Sequence, residues 1–164
     1  MLRACFFFLW SASIAWAAED ITGFWKTVDD EGAPQCILAI YEYQERYYGR
    51  IIGTFSDEGE LTDSIYHPYK KAPALVGDPY YSGLDIIYDL EETGSKFKGK
   101  ILNPKTGSVY NAELWREDED LIVRGKLLFF GKNHTWLPVK EEDFPSGFTP
   151  PDTNTFIPHI PEQK

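Results

Sequence analysis

The chain has 164 residues, with 16 Lys+Arg against 26 Asp+Glu, a net charge of −10 and a pI near 4.7. That length suits one domain, and the acidic balance excludes a nucleic-acid partner, which needs a basic stripe. Hydrophobic residues at 43% can build a core, and 11 Phe, 10 Tyr and 5 Trp favour strands over helices.

Residues 1–17 read as a secretory signal. Arg3 is the basic start, an apolar run extends to Trp16, and Ala15-Trp16-Ala17 is an A-x-A cleavage site before the polar Ala18-Glu19-Asp20. The run is short for a membrane span and no stop-transfer charge follows it. Cleavage predicts a periplasmic or secreted protein. It would keep one cysteine, Cys36, so no internal disulfide and no C-x-x-C metal or redox motif can form.

From residue 18 onward the pattern is strands and turns. Period-2 segments bounded by Gly, Pro, Asn and Asp predict strands near 22–28, 36–44, 47–55, 84–91, 96–103, 108–116, 120–129 and 132–139. Turns at 92–95, 103–107 and 117–120 join the later strands into an antiparallel meander. In 96–102, Lys96, Lys98 and Lys100 face water while Phe97, Gly99 and Ile101 face the core. Leu121, Val123, Gly125 and Leu127 face inward on the next-but-one strand, with Arg124 and Lys126 outward. Tyr110, Ala112 and Leu114 also look inward, a rule that Trp115 breaks. Gly49, Gly53, Gly99 and Gly125 suit bends at barrel corners. A long connection, 56–82, interrupts the meander. After Lys140 a Pro-rich extended tail, 141–164, follows the 18–140 domain.

Eight short antiparallel strands must close or stack to remove their edges. The fold class expected is therefore all-β: an eight-stranded antiparallel up-and-down barrel with one long loop and a Pro-rich tail. A two-sheet sandwich is the alternative. The lysine face of 96–100 argues against an outer-membrane barrel, whose outside is an apolar band.

Gly23-Phe24-Trp25, on the first strand, resembles the G-x-W of lipocalin (calycin) barrels. The resemblance implies that Trp25 plugs one barrel end and that Arg124 covers it, a stacking contact that competes with the outward placement of Arg124. A wider set covers about residues 20–139: Thr22-Gly23-Phe24-Trp25, Tyr48-Gly49-Arg50-Ile51, Gly77, Ser82-Gly83-Leu84, Asn103-Pro104-Lys105-Thr106-Gly107-Ser108-Val109-Tyr110, Leu121-Ile122-Val123-Arg124-Gly125, Gly131 and Thr135-Trp136. It is similar to a bacterial family of exported domains of unknown function with lipocalin-like barrels. Pro104 and Gly107 mark that family's turn, although Asn103 stands where Asp is usual. The tail has no counterpart there, and the resemblance implies fold and export rather than an activity.

Little in the residues points to reaction chemistry. His67, His134 and His159 lack metal-ligand spacing, the acidic runs lack the calcium-loop pattern, and there is no G-x-S-x-G elbow or phosphate loop. No cofactor or metal is expected, and an enzyme is the third reading, a hydrolase with an unrecognised site. The leading reading is an exported barrel that binds or carries a small apolar or amphipathic ligand as a monomer. Tyr41, Tyr43, Tyr110 and Trp136 would line the cavity, and Tyr80 and Tyr81 would close the loop over it. The second reading is an envelope protein with a solid core, meeting a protein partner through loop 56–82 and the tail.

Overall fold

The computed structural model describes residues 17–127 and 130–164; all of the expected signal segment except Ala17 lies outside them. Among the described residues nine strands form, in chain order: β1 (Gly23–Val28), β2 (Pro34–Tyr43), β3 (Arg46–Phe55), β4 (Leu61–Ser64), β5 (Asp85–Thr93), β6 (Lys96–Leu102), β7 (Val109–Glu117), β8 (Asp120–Leu127) and β9 (Phe130–Pro138). Eight of them pair antiparallel in a ring, β1-β2-β3-β5-β6-β7-β8-β9, which closes where β9 meets β1 through Trp25↔Pro138 and Lys26↔Leu137. The expected up-and-down barrel is what forms. Closure satisfies the backbone groups that an open meander would leave along its edges.

The ninth strand, β4, falls inside the expected loop 56–82 and hooks onto β3 through Gly53↔Ser64 and Thr54↔Asp63. It is four residues of mixed polarity, too short to show a period. Gly53, expected at a bend, leaves room for β4 instead: a Cβ there would lie 2.8 Å from Leu61 Cδ1. Gly99 has a similar use, since its Cβ would lie 2.7 Å from the Tyr88 carbonyl oxygen, where a bulge between Tyr88 and Glu91 pushes β5 toward β6.

The core has two parts. Inside the barrel, Ile21, Trp25, Leu38, Ile40, Ile51, Leu90, Phe97, Leu114, Leu121 and Val123 pack together. Outside it, Ile37, Ala39 and Ile52 are buried beneath Phe144, Phe148 and Phe156 of the tail, with Phe24, Leu61 and Ile65 alongside. The tail therefore lies along the barrel. It makes two short 3₁₀ turns, Glu141–Asp143 and Thr153–Thr155, and ends in a bridge between Gln163 and Leu75. Lys96 and Lys98 stand on the outer face of β6, where they flank Glu113 of β7; Lys126 of β8 reaches the same carboxylate at 2.5 Å. Trp115 shares that outer face, under the Lys96 ammonium at 4.0 Å from the ring centroid. Its break in the inward pattern is thus a side chain packed beneath a lysine.

Candidate functional site

One end of the barrel is shut. Gly23, at φ +124, turns the chain into β1, and two residues later Trp25 enters the barrel. Trp25 is 3% exposed and its indole N–H donates to the Ile21 carbonyl at 2.9 Å. The cation over its ring is Arg116, at 5.0 Å, and not Arg124. Arg116 pairs opposite Leu121, an inward register at this closed end, and its guanidinium also donates to the carbonyls of Asp20, Asp118, Glu119 and Asp120. Arg124 sits opposite Asn133 in the middle of β8, between inward Val123 and Gly125, so alternation sends it outward and away from Trp25. Its Nε is buried with no hydrogen-bond partner among the described residues.

The other end opens into a cavity of about 600 Å³. Ile51, Ile86, Ile101, Leu102, Val123 and Trp136 wall it, with Tyr81 and Tyr110. Toward the mouth the lining turns polar, with Gln35, Asn103, Lys70, Lys105, Lys132 and His134. Thr27 and Cys36 meet on the wall, where Thr27 Oγ1 accepts the Cys36 backbone N–H at 3.1 Å and lies 3.2 Å from Sγ. Burial pushes the Cys36 thiol up to about 11, against a smaller opposing pull from the Thr27 hydroxyl and the Lys105 ammonium. Burial likewise raises the Tyr81 phenol.

The long loop reaches this mouth and is held by a carboxylate. Asp63 is fully buried and accepts the backbone N–H groups of Tyr69 (2.7 Å) and Lys70 (3.0 Å) and the Ser82 hydroxyl (2.5 Å). Lys70 then turns its ammonium to the Phe55 carbonyl at 3.1 Å, at the end of β3. The turn from Asn103 to Ser108, carrying Pro104 and Gly107, forms the adjoining rim against Ala74 of the loop: Gly107 N–H donates to Asn103 O at 2.8 Å, and its φ of +74 suits glycine.

The candidate ligand residues divide. Tyr81, Tyr110 and Trp136 line the cavity. Tyr41 and Tyr43 do not: they continue the outward row of Ile37 and Ala39, and both pack on Tyr48 outside the barrel. Both faces of β2 are covered, one by the barrel interior and one by the tail, so hydrophobicity does not tell them apart. Tyr41 instead belongs to a polar node under the tail. Its hydroxyl donates to Asp85 at 2.9 Å, Arg50 bridges to Asp85 at 2.7 Å, and the Arg50 guanidinium lies 4.4 Å from the Phe156 ring centroid. Asp85 also accepts the backbone N–H of His159 at 2.6 Å, and Arg50 donates to the Ile157 carbonyl. Burial and the Asp85 carboxylate hold the Tyr41 phenol far above its usual range. Tyr80 is 42% exposed, with the Lys71 ammonium 5.4 Å from its ring centroid, and it does not reach the cavity.

Sequence reasoning missed Arg116, Asp63, Arg50, Asp85 and the lysines of the mouth. The turn assignment did place Lys105 at a barrel end, a usable signal. The other residues depend on which strands meet. Among the described residues no group of three His, Cys, Asp or Glu is arranged to hold a metal ion.

A closed barrel, plugged by a tryptophan at one end and open to an apolar cavity at the other, defines a lipocalin-like protein. Residues 23–137 match the family described as "Uncharacterized protein conserved in bacteria (DUF2147)", and the chain belongs to it. A solved structure of protein HP1028 from Helicobacter pylori, described as belonging to the lipocalin family, superposes with a TM-score of 0.60 at 19% identity. The match covers 76% of this chain and 86% of that one, and at this identity it speaks for the fold alone. A search of curated proteins finds no match to the chain.

Proposed function

We propose that this protein is an exported carrier: its barrel takes up a small apolar or amphipathic molecule and holds it without bond chemistry. The observation that carries the reading is the 600 Å³ cavity, which falls within the range of about 300 to 1,000 Å³ typical of small-molecule sites. Its walls are mainly aliphatic and aromatic, with polar groups confined to one end, as orientation of an amphipathic guest requires. The solid-core alternative is disfavoured by that space, and the tail it would use for a partner is engaged on the barrel's own outer face.

Native mass spectrometry of protein expressed with its N-terminal segment and purified gently tests both halves. The denatured mass should correspond to a chain beginning at Ala18. The native mass should exceed it by roughly a few hundred daltons, the size a cavity of this class accommodates. A native mass equal to the denatured one, unchanged after incubation with a mixed lipid extract, would overturn the carrier reading. A denatured chain retaining residues 1–17 would overturn cleavage at that site.

A further inference from the structure

The distribution of charge around the cavity has a direction. The chain carries 26 acidic residues, yet none lines the cavity, whereas Lys70, Lys105, Lys132 and His134 all do. They gather at the mouth, above a wall of Ile51, Ile86 and Trp136. Lys132 is already neutralised, since it donates to both oxygens of Asp30, at 2.7 and 3.1 Å. Lys70 and Lys105 are not: among the described residues neither has a carboxylate within 4.0 Å. The Lys70 ammonium has one carbonyl, that of Phe55, and two protons left to give. It hangs from the Asp63-anchored loop, while Lys105 rises from the 103–108 turn that lies against Ala74 of the same loop, and both line the one opening.

Two cations without counter-ions, at the polar end of an apolar pocket in an acidic protein, are a recognition element for negative charge. Resting on the carrier reading, we propose that the cavity selects a single-chain amphiphile with an anionic head. Its hydrocarbon enters the barrel toward Trp136, and its carboxylate or phosphate stays at the mouth between Lys70 and Lys105. The lysines act in specificity and orientation, because the apolar walls bind neutral and charged chains alike. The mouth is partly wet, which limits each contact to a modest share of the affinity.

Isothermal titration of the whole secreted chain with four decyl probes provides the test: decanoate, decyl phosphate, 1-decanol and decyltrimethylammonium. At least one anion should bind at least tenfold tighter than decanol, and the cation should bind more weakly than decanol. The relative affinities of decanoate and decyl phosphate then identify the head group. Lys105→Glu is the decisive variant, because Lys105 is exposed and, among the described residues, its ammonium makes no hydrogen bond, so the fold does not depend on it. It should abolish the preference for the anion over decanol, and Lys70→Gln should reduce the preference severalfold. Equal binding of anion and decanol, or a preference that survives Lys105→Glu, would overturn head-group selection while leaving the carrier intact. Binding of none of the four by ligand-stripped protein would overturn the carrier reading and this proposal with it.

Discussion

Trp25 shows how much one side chain can decide. It fills the closed end, and its N–H is satisfied by Ile21, so the polar atom of a large residue is buried without penalty. Trp25→Ala should destabilise the protein by about 3 to 5 kcal/mol, read as a fall in the urea midpoint. Arg116→Ala loses the contact over Trp25 and the carbonyl bonds that fasten the 117–120 turn, and should cost about 1 to 2 kcal/mol. Cys36 offers a reporter inside the cavity. With its thiol at about 11, the thiolate fraction at pH 8 is on the order of a hundredfold below that of an ordinary cysteine. Maleimide labelling of the native protein should be slower than that of the urea-unfolded chain by at least that ratio. Labelling at the unfolded rate would mean that the thiol is neither buried nor held in its protonated form.

At the scale of elements, two predictions concern what aligns the strands and the loop. Asp63 ties the loop to β4 with three hydrogen bonds to one buried carboxylate. Asp63→Ala leaves the Tyr69 and Lys70 N–H groups unpaired, at about 1 to 3 kcal/mol each if they stay buried. The structure avoids that cost by letting the loop open. Hydrogen exchange should therefore accelerate at Tyr69 and Lys70 while the amides of β6 to β8 keep their protection. Uniform acceleration across the barrel would mean that the loop and barrel unfold together. On the outer face, Glu113 is held below its ordinary value of 4.5, first by its hydrogen bond with Lys126 and then by the charges of Lys126, Lys96 and Lys98. The folded pKa is the lower one, so this stabilisation is present above about pH 4.5 and is lost as pH falls through the folded value. Glu113→Gln should flatten the acid limb of the stability curve, by no more than about 1 kcal/mol for so exposed a cluster of lysines.

At the scale of the molecule, the tail covers one outer face of the closed barrel with residues that lie beyond the family match. That match ends at residue 137, whereas the residues that cover Ile37, Ala39 and Ile52 are Phe144, Phe148 and Phe156. Asp85, fully buried, joins the two parts: it takes Arg50 and Tyr41 from the barrel and the His159 backbone from the tail. Arg50→Ala would leave that carboxylate unpaired and should cost about 3 to 5 kcal/mol. Deleting residues 141–164 should expose an apolar patch, bind a dye such as ANS and lower the melting temperature. A truncated chain with unchanged melting and no dye binding would show the tail to be dispensable. The tail's last residues also grip the long loop. Val76 N–H donates to the Glu162 carbonyl at 2.9 Å, and Lys164 pairs with Asp78 at 2.7 Å. Loss of the tail should thus loosen the loop at 75–78 as well.

The sequence by itself determined the elements whose pattern is local. Eight strands and their turns were legible because alternation, Gly and Pro act over neighbouring residues, and alternation placed the β6 lysines outward, and the β7 row with Leu121, Val123 and Gly125 of β8 inward. Trp25, Tyr81, Tyr110 and Trp136 stood out as large amphipathic side chains on inward registers or near the mouth. Tertiary structure alone decided the rest. Tyr41 and Tyr43 were misplaced because the tail buries the outer face of β2 as thoroughly as the barrel buries the inner one, and the covering residues lie more than a hundred positions away. Arg116 rather than Arg124 reached Trp25 because an arginine's target depends on which barrel end its strand register occupies. The mouth lysines, 35 and 27 residues apart in the chain, form one basic opening because ring closure brings the loop, the 103–108 turn and the start of β9 to the same end. Charge acts through space, and composition shows only the acidic sum.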